Sequence, residues 1–141
     1  MSKSIKTLIR LSRWEVDEKR RVLTELQNRE DGIIAAMAEA DQRMLVERQI
    51  ASQDPTGAGS LFGAYAQAWM SRRETARGEL ASVREAIEVA RDDLNDAFRR
   101  LKTFEITQKN QEKREQDEAD RKEQANLDEI GLNIHRRKVR D

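Results

Sequence analysis

Positions spaced alternately by four and three residues run through the first part of the chain at Ile5, Ile9, Ser12, Val16, Lys19, Leu23, Leu26, Glu30, Ile33, Met37, Ala40, Met44, Glu47 and Ala51. Ten of these fourteen are apolar. That is a heptad seam on one long helix, interrupted at Ser12, Lys19, Glu30 and Glu47. The spacing resumes at Phe62, Ala66, Trp69, Arg73, Ala76, Leu80, Val83, Ile87, Ala90, Leu94, Ala97, Leu101 and Phe104, with Arg73 its one polar member. Between the two seams, ASQDPTGAGS gathers the turn formers: Asp54-Pro55 restricts the backbone, Gly57 and Gly59 permit positive φ, and Ser60 is the expected N-cap of the second helix. The pattern predicts a helix over about 3–52, a turn over 53–60 and a second helix over about 61–138.

Neither helix can bury its stripe alone. Folding the chain back near residue 57 sets residue i beside 114 − i, so Ile5 faces position 109, Val16 faces Phe98, and Met44 faces Met70 and Trp69. The second stripe stops at Phe104, close to where the first helix runs out of partner. This matched ending predicts an all-α fold: one domain over 1–141, a long antiparallel two-helix coiled-coil hairpin paired to about residue 106 with an overhanging C-terminal helix.

Past Phe104 the chain changes character. Eleven of the fifteen residues from Lys109 to Glu123 are charged, and i, i+4 pairs such as Glu118 with Lys122 favour a solvated single helix. Leu127, Ile130 and Ile134 then restore an apolar face, with Leu132 and Val139 on another. A terminal apolar stripe beyond a polar spacer suits a helix that docks in a partner's groove, and a frayed end with incidental leucines is the equal alternative.

Composition narrows the function. The 141 residues carry 27 Lys+Arg against 27 Asp+Glu, are 38% charged and only 37% hydrophobic, the balance of long helices rather than a large core. The longest apolar run, Ile33 to Ala38, falls far short of the roughly 18 residues a membrane span needs. Zero net charge disfavours a protein that works by coating nucleic acid. The cluster His135, Arg136, Arg137, Lys138 and Arg140 fits cations at a helix C-terminus. Lys3, Lys6, Arg10 and Arg13 superficially resemble a transit peptide, but they continue in register with the helix and are read as mature structure.

Material for catalysis is scarce. There is no cysteine and one histidine, His135, and no carboxylate pair is set in an apolar context for acid/base work. The GAGS segment is a turn without the Lys-Ser/Thr that a phosphate loop requires. A non-enzymatic protein without cofactor or metal is expected. Phe62, Tyr65 and Trp69, with Arg72 and Arg73, cluster in the turns after the bend and form the preferred partner-facing patch. Trp14, off the first seam, is expected to wrap over Phe98 and Leu101.

The runs KTLIRLSRWEVDEKRRVL, FGAYAQAWMSRRETARGEL, ARDDLNDAFRRLKTFE and LDEIGLNIHRRK resemble the flagellar export protein FliJ family, particularly its alphaproteobacterial form, over nearly the full length. The resemblance implies a small cytoplasmic component of the flagellar type III secretion apparatus, peripheral to its membrane-embedded part and similar to the central stalk of rotary ATPases. Implied partners are the export ATPase hexamer, the membrane export-gate protein and export chaperones, with no nucleic acid and no direct membrane insertion. The protein alone is expected to be monomeric. By the same resemblance, Phe62, Tyr65, Trp69, Arg72 and Arg73 match a gate-contacting patch. Leu127, Asp128, Glu129, Ile130, Arg136 and Arg137 match a terminal motif, which Ile134 extends on the same face. Trp14 and the long charged stretch depart from the family pattern. The rival class is a structural or chaperone coiled-coil scaffold, prefoldin-like or homodimeric, unrelated to secretion.

Overall fold

A computed structural model of the chain describes residues 2–140; Met1, Asp141 and the side chains of Ser2 and Lys3 lie outside the described residues. The fold is an all-α helical hairpin in which two long helices, α1 (Ser2–Gln53) and α2 (Ala58–Arg140), pack against each other. Every described residue outside 54–57 is helical. The chain forms two compact units, Glu15–Ala97 and Met1–Trp14 with Phe98–Asp141.

The unit Glu15–Ala97 contains the turn, which is shorter than the composition of 51–60 implies. The Asp54 carboxylate accepts from the backbone N–H of Gly57 (3.0 Å) and Ala58 (3.3 Å), and its carbonyl accepts from the Gly59 N–H at 2.8 Å. Asp54 therefore satisfies the first orphan donors of α2. Ser60, the expected cap, already lies within α2 and donates its hydroxyl to the Gly57 carbonyl at 2.7 Å. Neither Gly57 nor Gly59 adopts positive φ; what sets them apart is close approach instead. A Cβ on Gly57 would run into the Asp54 carboxylate, and one on Gly59 would lie 3.1 Å from the carbonyl oxygens of Ala51 and Asp54.

Within this unit the heptad positions form the core. Val16, Met44, Val83, Ile87, Ala90 and Ala97 are buried, and Leu23, Leu26, Ile33, Met37, Leu80 and Leu94 are half-buried. Incomplete burial is the expected state of a two-helix seam, because each knob has one facing helix and water on two flanks. Ion pairs cross between the helices of this unit. Arg73 Nη1 bonds Asp41 Oδ1, and Arg84 Nε bonds Glu30 Oε2 at 3.1 Å. Both pairs match residue i with 114 − i, which is the register the sequence pattern requires. Glu30 thus stays in the seam by reaching a cation across it, whereas Glu47 turns out to solvent. Within α1, Arg21 bonds Glu18 at 3.0 Å and Glu25 at 2.7 Å, and these carboxylates, Glu18 first, hold its guanidinium above its ordinary pKa.

In the unit Met1–Trp14 with Phe98–Asp141, Ile5, Ile9 and Ser12 are the buried residues of α1, and Leu101 and Phe104 of α2 are half-buried. The seam does not stop at Phe104. Gln108 and Gln111 continue the four-three spacing and are half-buried, as is Glu105, and Gln108 lines a cleft of about 280 Å³ with Ile9, Lys6, Arg10 and Arg13. A search for apolar positions alone misses this extra heptad. Beyond Gln111 every described residue is exposed. Trp14 is 59% exposed, more open than a side chain laid over the seam, because its position points the indole away from the buried face.

Candidate partner-binding surfaces

The unit Glu15–Ala97 carries a groove of about 570 Å³ along one side of its seam. Its floor is apolar: Ile33, Met37 and Ala40 from α1, and Ala68, Trp69 and Ala76 from α2. The groove has a compositional cause. Positions flanking a seam usually carry long charged side chains that lie over the core. Here Ala36 occupies such a place, with Gly32 and Ala68 one step further out on the same side, and a Cβ on Gly32 would meet nothing within 4 Å. The Arg73–Asp41 and Arg84–Glu30 ion pairs each join a seam position to a flanking one.

Four of the expected partner-facing residues, Tyr65, Trp69, Arg72 and Arg73, come together along this groove. The fifth, Phe62, is half-buried at the start of α2 and is not part of the lining. The Arg73 guanidinium stacks 5.5 Å from the centre of the Trp69 ring while bonding Asp41, so a cation in the seam is held by an acid on one side and a π-face on the other. Trp69 Nε1 is buried and has no hydrogen-bond partner among the described residues. The α1 wall, with Arg29, Gly32, Ile33, Ala36 and Met37, was not evident from the sequence. Its signal is the placing of small residues, Ala36 beside the seam and Gly32 just beyond it, on one side of α1.

The second surface lies at the end of α2. Leu127, Ile130 and Ile134 are 50 to 56% exposed, and Leu132, Val139, Arg136 and Arg137 are exposed as well. Nothing among the described residues covers this stripe. Arg137, Lys138 and Arg140 occupy the last turn of α2, where the helix dipole favours cations. Among the described residues there is no group of three His, Cys, Asp or Glu placed to hold a metal ion, and no helix long and apolar enough to cross a membrane.

A family model described as "Flagellar FliJ protein" matches residues 1–140. The chain belongs to the FliJ family. No curated protein and no solved structure matches it. Membership makes it a component of the flagellar export apparatus, in a family that is not enzymatic, with partners drawn from that system. For a FliJ chain the groove and the bare stripe are two surfaces with apolar area still to cover.

Proposed function

We propose that this chain is a stalk-like coiled coil that links the export ATPase to the export gate and to export chaperones, working in the cytoplasm beside the membrane-embedded apparatus. The observation that carries the reading is that the groove of one compact unit and the terminal stripe of the other leave apolar surface uncovered, on a chain whose family has no catalytic task. The groove side chains Tyr65, Trp69, Arg72 and Arg73, with Phe62 beside them in sequence, are assigned to the gate protein. The stripe Leu127, Ile130 and Ile134, with Arg136 and Arg137, is assigned to the ATPase ring. Binding through helix faces needs no cofactor, and the balanced net charge fits protein partners rather than nucleic acid.

The test is a pull-down with the cognate export ATPase and, separately, with the cytoplasmic part of the gate protein. A chain ending at Gln111 keeps every covered position of the seam and is expected to lose the ATPase while keeping the gate. Loss of neither partner removes the tail from the mechanism. Failure of the intact chain to bind either one overturns the linking role. Sedimentation addresses the scaffold alternative: a folded monomer supports the proposal, whereas helicity lost on dilution identifies an obligate dimer.

A further inference from the structure

We propose that the groove between α1 and α2 is a seat for a single amphipathic helix whose flanks carry carboxylates, supplied by a partner protein. The proposal deepens the partner-facing reading of Tyr65, Trp69, Arg72 and Arg73 and rests on it. The dimensions come first. The groove runs along α1 from Arg29 to Arg43, about 21 Å or four helical turns at 1.5 Å per residue. Its floor is built from alanines and a glycine, which allow a third backbone to approach closely, between the larger Ile33, Met37 and Trp69 that would interdigitate with it.

Charge then selects the flank chemistry. Of the four lining arginines, Arg73 is engaged by Asp41 and Arg43 by Glu39. Arg29 and Arg72, about 20 Å apart along the register, have no acidic partner among the described residues. They face one unpaired carboxylate, Glu79. The excess is of cations, so the occupant supplies anions: leucine-type anchors at i, i+3, i+4 and i+7 on its inner face, and Asp or Glu at its margins.

The experiment uses the full chain carrying Trp14→Phe, which leaves Trp69 as the single tryptophan. It is titrated with a synthetic 18-residue amphipathic helix bearing leucines on one face and glutamates beside them, and with the same peptide bearing lysines instead. Saturable change of Trp69 fluorescence with the glutamate peptide is expected, at least tenfold tighter than with the lysine peptide. Ala36→Gln with Ala68→Gln fills the floor with neutral bulk at two exposed positions and is expected to weaken binding tenfold or more at unchanged helicity. Arg29→Gln with Arg72→Gln is expected to erase the preference between the peptides. No saturable signal, equal binding of both peptides, or full binding by the filled-floor variant overturns the proposal. Self-association of the chain that the filled-floor variant abolishes makes a second copy the occupant and overturns it too. A chain that binds the peptide but not the gate protein sinks the gate assignment alone. Gate binding that survives filling of the floor, with the peptide refused, sinks the helix seat alone.

Discussion

Replacing Ile87 by alanine tests the seam directly, because Ile87 is buried on the face that meets α1 whereas Val89, two residues on, is exposed. Ile87→Ala removes three carbon atoms from an apolar site, about 2.4 kcal/mol at roughly 0.8 kcal/mol per buried group. A cavity adds to this in a rigid core, but a pair of helices closes partly around the gap. The expected loss is therefore about 2.5 to 3 kcal/mol, in the lower half of the range for such truncations. Val89→Ala removes two carbons that are already more than half in water, for about 0.7 kcal/mol, and recovers most of it from the better helix propensity of alanine. Its net effect is expected near zero. Urea unfolding monitored by far-ultraviolet circular dichroism measures both, with the slope of the transition confirming that the unfolded reference is unchanged. Equal losses at the two positions, or a loss below about 1 kcal/mol at Ile87, would refute the assignment of this face to the core.

A double-mutant cycle on Arg73 and Asp41, 28% and 39% exposed, is expected to give a coupling of about 1 kcal/mol, and Glu30 with the more exposed Arg84 about half that, after discounting for solvent screening; zero coupling in both would remove the 114 − i register. Asp54→Ala is expected to cost about 1 kcal/mol through loss of the α2 cap, whereas Ser60→Ala should be nearly neutral, and the reverse order in a urea series would restore Ser60 as the cap. Gly78→Ala, where a Cβ meets nothing within 4 Å, should stabilise α2 by about 0.5 to 1 kcal/mol, while Gly57→Ala should destabilise by displacing the Asp54 carboxylate; both are read from the same unfolding midpoints. Ending the chain at Gln111 should leave the midpoint unchanged within about 0.5 kcal/mol, since residues 112–140 are exposed throughout.

The helices and their register were readable from residue order because a two-helix fold is nearly a one-dimensional object. Once Asp54-Pro55 fixes the bend and the apolar spacing fixes the faces, Asp41 must meet Arg73. What was not readable depends on the third dimension or on polar atoms. Gln108 and Gln111 extend the seam without apolar side chains, so hydrophobic spacing passes over them. Asp54, rather than the Ser60 hydroxyl, caps α2 because α2 begins three residues earlier than the glycines suggest. The residues Tyr65, Trp69, Arg72 and Arg73 stood out by type, but the groove they line exists because α1 presents Gly32 and Ala36 opposite them. An absent side chain on one helix becomes a shape only when the other helix is set beside it.

The uncovered end of α2 has a thermodynamic consequence for whatever takes hold of it. Residues 112–140 gain nothing from burial, so their helicity rests on propensity and on neighbours such as Lys122 with Glu118 and Gln124 with Asp128, each contributing only about 0.2 to 0.5 kcal/mol. A segment balanced in that way sits close to its own helix–coil midpoint. Grip on Leu127 and Ile130 is thereby tied to the ordering of the whole stretch leading to them, and warming or added salt will loosen the attachment even where no contacting atom has changed.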